Sequence, residues 1–294
     1  MSGDPTLLIC VGATKAGTTW LYDHLARHDG CHLRSIKELH YFGCVETGRW
    51  DHQIRVHEQA EARLRRRLAR AAPARRGLVA RKLADVTDWL AVLRRRALDA
   101  GAYLAYLAAG RGGRALVADI TPAYALLPEA RLRQMAGIAP DVRVLYLLRD
   151  PVARLWSQLR MDAARAGGGQ DGAAAAEALM ARVLDGADHP GMARSDYAGT
   201  IARLTAAVAP DRLMLAFYET LTTLPGLDRI SRFLGIDRGT PDFARRLHEG
   251  PAHPLPPALA QRARAVLRPQ YDFVARLMPD LPAAWRANMG EVTP

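Results

Sequence analysis

The apolar run Leu7-Leu8-Ile9-Cys10-Val11 leads into Gly12-Ala13-Thr14-Lys15-Ala16-Gly17-Thr18-Thr19-Trp20. A buried strand turning through glycines into a helix gathers unpaired backbone N–H groups around one point, which the helix dipole makes positive. A phosphate-like anion suits such a turn. The spacing departs from the nucleotide-triphosphatase loop G-x-x-x-x-G-K-[ST]: Gly12 and Gly17 are spaced as there, but Thr18 stands where the lysine belongs. The chain has three lysines, Lys15, Lys37 and Lys82, so arginine supplies nearly all its positive charge. A lysine inside the loop puts a compact ammonium where a guanidinium fork is harder to seat. The same residues also allow a plain strand–turn–helix with a solvated lysine.

Two further segments bear chemistry. Val144 to Leu148 reads as a buried strand ending in Arg149, with Asp150 and Pro151 opening a helix that carries Ser157. An arginine at a strand end grips a phosphate bidentately and a serine adds a hydrogen bond. The alternative is a local Arg149–Asp150 ion pair capping the helix. Arg154 is expected to face solvent or pair with Asp150. In Ser35-Ile36-Lys37-Glu38-Leu39-His40-Tyr41-Phe42, a carboxylate near a bound anion can serve as general base toward a hydroxyl, with His40 orienting the acceptor or sharing the proton. Alternatively Glu38 pairs on the surface with Lys37 or an arginine, and His40 is a loop residue.

The elements that must position these residues follow from periodicity. Strands are expected at 6–11, 115–118, 142–148 and 212–217, with a short one at 32–34. Helices are expected at 18–28, 52–72, 88–109, 128–139, 151–165, 173–186, 194–208 and 222–234, and a helical region at 256–278 interrupted by Pro269. Continuous apolar strands alternating with helices imply a parallel sheet covered on both faces, with ligands at the strands' carboxyl ends. Ala166 to Gly172 reads as a flexible loop suited to the rim of a site.

The 294 residues are 49% hydrophobic, ample for a large core. No apolar run is long enough to span a membrane, and the N-terminus lacks a signal-peptide pattern, so a cytoplasmic location is expected. Cys10, Cys31 and Cys44 have no metal or disulfide spacing and read as reduced thiols. The net charge of +11 suits anionic partners, including a peripheral contact with an anionic surface. Arg63 to Arg70 and Arg94 to Arg96 are arginine runs without interleaved aromatics, so nucleic acid is not an expected partner.

Together the three segments resemble the sulfotransferase family that uses 3′-phosphoadenosine 5′-phosphosulfate, most like the branch with heparan sulfate O-sulfotransferases and many bacterial homologues. The resemblance covers about 15–235 and the C-terminus loosely. It implies a P-loop-like three-layer α/β/α sandwich with a central, mostly parallel sheet, and a single domain over 1–294. Residues 50–110 match nothing in the family and are expected to form a helical insertion shaping the acceptor site. It implies that Lys15, Ala16, Gly17, Thr18, Thr19 and Trp20 surround the 5′-phosphosulfate, and that Arg149 and Ser157 hold the 3′-phosphate. Glu38 is then the catalytic base, assisted by His40, and Lys15 stabilises the leaving oxygen. Lys37, Thr121 and Tyr124, the last two in a segment similar to the family's K-T-P-x-Y, face the acceptor. The acceptor offers a hydroxyl, on a glycan, lipid headgroup or secondary metabolite, and no metal is expected.

Two positions depart from the family. Ile120 replaces a lysine, whose part Lys37 or Lys15 would take. The loop His248 to Pro254 keeps only the glycine and proline of a basic cofactor loop, with Arg245 and Arg246 as substitutes. The alternatives are a P-loop kinase or nucleotide triphosphatase, and a non-catalytic binder of anionic glycans or lipids through the arginine runs.

Overall fold

The apolar runs become strands because both their faces find cover. In the computed structural model, which describes residues 3–167, 172–244 and 253–290, the strands are β1 (Thr6–Gly12), β2 (Cys31–His32), β3 (Leu116–Ile120), β4 (Val142–Leu148) and β5 (Leu213–Phe217). All of β3 is buried, as is nearly all of β1 and β4, so side chains of both parities point into packed layers. Every pairing is parallel, in the order β2-β3-β1-β4-β5, with Leu8 of β1 opposite Ala118 on one side and Arg143 on the other. The chain leaves β1 toward β2 and β3, then returns to the other side for β4. The strand order therefore reverses at β1, and a crevice opens at its carboxyl end.

The helices, in chain order, are α1 (Thr18–Ala26), α2 (Tyr41–Thr47), α3 (Trp50–Ala69), α4 (Pro73–Leu93), α5 (Ala100–Ala108), α6 (Glu129–Ala136), α7 (Pro151–Arg165), α8 (Gly172–Leu184), α9 (Pro190–Ala193), α10 (Tyr197–Ala207), α11 (Tyr218–Leu221), α12 (Leu224–Leu234), α13 (Pro257–Leu277) and α14 (Ala283–Met289). A 3₁₀ turn at Pro122–Leu126 follows β3. One contiguous core runs from Leu7 to Trp285 and takes in Val86, Trp89, Leu90 and Leu93 of α4. Among the described residues no helix is long and apolar enough to cross a membrane. Cys10, Cys31 and Cys44 are buried free thiols.

The insertion differs from its expected form. The second helix begins at Pro73 rather than 88, because proline suits a first helical position and the Ala/Arg/Leu sequence after it favours helix. It stops at Leu93, Arg96 takes a left-handed φ of 53°, and the Asp99 side chain caps α5 by accepting from Ala102 N–H. α13 passes through Pro269 unbroken: its stripe Ala263, Leu267, Tyr271 and Val274 packs inward while Pro269 faces solvent. α2, α14 and the 3₁₀ turn have no counterpart in the expected elements. The loop expected at 166–172 lies mostly outside the described residues, as do Arg245, Arg246 and His248.

Candidate active site

The β1–α1 turn bends through left-handed backbone at Lys15 (φ 71°) and Gly17 (φ 80°). Gly17 is required twice over, since a Cβ there would lie 2.6 Å from the Tyr218 ring. Lys15 is not a glycine, and its backbone cost is the kind of strain that collects at ligand sites. Its ammonium points toward α7, 3.7 Å from the Met161 sulfur. Burial, then the charges of Arg149, Arg165 and Arg160, push its pKa down. An anion placed there would relieve that repulsion.

Arg149, just beyond β4, donates through Nη1 to the Lys15 carbonyl at 2.9 Å and lies 4.8 Å over the Tyr218 ring. The two candidate anion-binding segments are thus fastened to each other. Asp150 forms no ion pair with Arg149. It caps α7 by accepting from Ala153 N–H and also accepts from Tyr271 Oη (2.6 Å) and Asn288 Nδ2 (2.9 Å). Arg154 corrects its expectation outright: it is fully buried and donates to the Gly191 carbonyl (2.6 Å) and Ser195 Oγ (2.5 Å).

Lys37, Glu38 and His40 arrive from the segment before α2. Lys37 Nζ lies 2.8 Å from Glu38 Oε1 and 3.4 Å from Thr18 Oγ1, so it bridges the candidate base and the anion loop. His40, in left-handed backbone with φ 54°, brings Nε2 to 3.5 Å from Glu38 Oε2. Burial by itself would raise the Glu38 carboxyl. The His40 hydrogen bond and the charge and hydrogen bond of Lys37 override it and hold the pKa at about 2.

A cavity of about 1040 Å³ joins these pieces at the strand ends. Lys15, Gly17, Thr18 and Thr19 line it from one side, Arg149 and Ser157 from another, and Lys37, Glu38 and His40 from a third. Ala16 and Trp20 do not line it. Trp20 stacks on His24 (5.3 Å) and Phe243 (5.8 Å), and its indole N–H donates to the Asp242 carbonyl. The structure corrects Thr121 and Tyr124 as acceptor contacts: both side chains are buried and donate to Asp119, at 2.6 Å and 2.9 Å. Tyr103 of α5 donates a third hydrogen bond to Asp119, at 2.9 Å. Thr121 Oγ1 in turn accepts the Leu39 N–H at 3.0 Å, so this network pins the backbone between Glu38 and His40. Only Pro122 and Ala123 of that segment reach the cavity.

Arg160, Asp162, Arg165 and Arg194, none of them among the expected site residues, also line the cavity. Arg160 and Arg165 lie three and eight residues after Ser157, on its face of α7, so helical spacing from Ser157 would have found them. Arg194 follows α9, and no local pattern marks it.

A parallel sheet with a glycine-bounded turn at its switch point and a basic cavity at its strand ends defines an α/β protein whose ligand site lies where such sheets place one. Its sequence places it more narrowly: residues 5–240 match the Sulfotransferase family, and the chain belongs to that family. The fold is that of the sulfotransferase from Alicyclobacillus acidocaldarius, with TM-score 0.61 and 20% identity over 97% of this chain and 99% of that one. The sulfotransferase domain of the Synechococcus PCC 7002 olefin synthase aligns at TM-score 0.44 and 21% identity, covering 96% of this chain and 99% of that one. The sulfotransferase domain from the curacin biosynthetic pathway aligns at 0.43 and 17%, covering 88% and 77%. Among curated protein sequences none matches the chain.

Proposed function

We propose that this sulfotransferase moves a sulfuryl group from 3′-phosphoadenosine 5′-phosphosulfate to an acceptor hydroxyl, with Glu38 as general base. The observation that carries the reading is the meeting, in one cavity, of the Lys15 turn, the Arg149–Ser157 pair and the Lys37–Glu38–His40 segment. The charge fits. Among the described residues six cations, Lys15, Lys37, Arg149, Arg160, Arg165 and Arg194, face the cavity against Glu38 and Asp162. A phosphomonoester alone brings about −1.5 to −2 at neutral pH, and a phosphosulfate adds more. A volume of about 1040 Å³ lies at the top of the roughly 300–1,000 Å³ range for a single ligand, which leaves room for an acceptor beside a nucleotide.

Bound there, the donor supplies an electrophilic sulfur on a good leaving group. Lys15 and the backbone N–H groups of the turn hold the 5′ end, and Arg149 with Ser157 the 3′-phosphate. Lys37 sits between Thr18 and Glu38 and supplies the positive charge that Ile120 does not. As an anion settles against Thr18, Lys37 is shared with it. Its hold on Glu38 weakens, and the carboxylate becomes a better base as the acceptor oxygen attacks and releases its proton. His40 orients that hydroxyl. The helical insertion, through α5 and the Tyr103–Asp119 bond, keeps this segment in place. Positioning and electrostatics, rather than covalent catalysis, supply the acceleration.

The test is calorimetric titration with adenosine 3′,5′-bisphosphate, the spent donor, on the wild type and on Arg149→Ala and Ser157→Ala. Binding to the wild type that weakens at least about tenfold in Arg149→Ala is expected, since charge-assisted hydrogen bonds are the strong ones. Absence of binding to the wild type would sink the reading.

A further inference from the structure

The chain's basicity is concentrated in one place. Residues 62–82 hold nine of the 41 Lys and Arg residues and none of the 30 Asp and Glu residues, leaving 32 cations against 30 carboxylates elsewhere. A compositional bias toward arginine would spread the excess over the surface; here one segment carries most of it.

That segment is the far half of the α3–α4 hairpin. The two helices run antiparallel: Glu61 accepts from Thr87 Oγ1 at 2.6 Å and Glu58 pairs with Arg94 at 2.9 Å. Toward the base most of the charges are paired. Arg34 pairs with Asp85 and Asp88, Arg95 with Asp99 and Arg96 with Asp51, so the arginine run at 94–96 is neutralised residue by residue. Toward the tip, among the described residues, only Arg65 has a carboxylate, Glu61. Arg63, Arg66 and Arg67 on α3 and Arg70 at its C-cap are exposed at i, i+3, i+4 and i+7. Arg75, Arg76, Arg81 and Lys82 are exposed on α4. Between Arg75, Arg81 and Lys82 stands Leu78, 55% exposed.

We propose that this hairpin tip docks on an anionic lipid bilayer, its eight unmatched cations against the headgroups and Leu78 in the interfacial layer. The tip's chemistry is diffuse. Residues 62–82 contain only Arg, Lys, Ala, Leu, Val, Gly and Pro. No hydroxyl, amide or carboxylate is present to read a folded acidic partner, and no aromatic to stack on a base. Mobile cations on flexible stems around an aliphatic side chain suit a fluid surface of negative charge over hydrocarbon. α3 has 20 residues and is about 30 Å long, and its buried residues, Trp50, Ile54 and His57, all lie in its first half, away from the tip. The surface is separate from the cavity, and the proposal does not rest on the donor assignment.

The test is co-sedimentation with phosphatidylcholine vesicles, with and without about 30% phosphatidylserine, at about 0.1 M salt, where surface charges still act over about 10 Å. Binding is expected only with phosphatidylserine. A basic residue at such a surface contributes roughly fivefold, so R66Q/R67Q/R75Q/R76Q should weaken binding about 100-fold or more. Leu78→Ser should weaken it several-fold, and R94Q/R96Q at the base should leave it within about twofold. Circular dichroism and a thermal melt establish that each variant is folded. No binding to phosphatidylserine vesicles, or undiminished binding by the quadruple variant, would overturn the proposal. So would an inert Leu78→Ser together with equal affinity for duplex DNA, which would make the tip a general polyanion site.

Discussion

Glu38 illustrates how neighbours within 4 Å set a residue's chemistry. Lys37 and His40 keep it ionised down to about pH 2 in the free protein, which makes it available but weakly basic. Under the proposed function, Glu38→Gln lowers turnover roughly 10²-fold or more, the usual scale for losing a general base, while calorimetry finds adenosine 3′,5′-bisphosphate bound as in the wild type. Unchanged turnover would remove Glu38 from the reaction. The pH dependence has a defined sign. A carboxylate whose pKa is depressed stays active as pH falls until its own pKa is reached, so the wild type shows no Glu38 limb in kcat/KM between pH 7 and 4. In Lys37→Met the largest attractive charge is gone, and the limb moves up toward the ordinary value of 4.5. A profile measured on both proteins that shows no displacement would separate Lys37 from Glu38. The three residues were legible in the sequence as a cluster. Their order of contact, with Lys37 reaching both Glu38 and Thr18, was not, because the choice of partner depends on how the segment lies across the β1–α1 turn.

At the scale of elements, two supports decide whether those side chains meet. One is the buried carboxylate Asp119, which gathers Tyr103, Thr121 and Tyr124 and, through Thr121, the Leu39 N–H. Thr121→Val leaves that N–H unsatisfied and should cost about 1–3 kcal/mol of stability. It should also lower turnover with the affinity for adenosine 3′,5′-bisphosphate unchanged, since the donor side is untouched; denaturant melts and steady-state kinetics check the two parts. The other is the contact of Gly17 with Tyr218. Gly17→Ala must keep φ 80° and displace a ring 2.6 Å away, on which Arg149 rests. Roughly tenfold weaker binding of the same nucleotide is expected, for strain of order 1–3 kcal/mol. Strong sequence signals, glycines and a proline after a strand, gave both turns correctly. Thr121 and Tyr124 were misassigned to the acceptor because a hydroxyl's neighbours, not its type, decide whether it faces ligand or core.

At the scale of the whole molecule, charge is segregated: a basic cavity at the strand ends, ion pairs over the base of the hairpin, and an unmatched cationic tip. Crowded like charges repel, and that repulsion is screened by salt. The variant R66Q/R67Q/R75Q/R76Q is therefore expected to be at least as stable as the wild type. Its advantage in Tm should be larger at low ionic strength than at about 0.5 M salt, as scanning calorimetry at both would register. A less stable variant would mean that these arginines pack through their stems rather than merely repel.

The parallel sheet, the glycine turn after β1 and the placing of Arg149 and Ser157 along one cavity wall follow from contiguous residues, through apolar runs, glycine spacing and helical period. Tertiary structure decided the rest. It buried Arg154 against Gly191 and Ser195, brought Arg194 to the cavity and turned Thr121 and Tyr124 onto Asp119. It also matched Arg94, Arg95 and Arg96 with carboxylates while leaving Arg66 and Arg67 without them among the described residues. Each of these outcomes joins residues distant in the chain or chooses among equivalent local partners, and side-chain chemistry alone does not fix which neighbour a folded surface supplies.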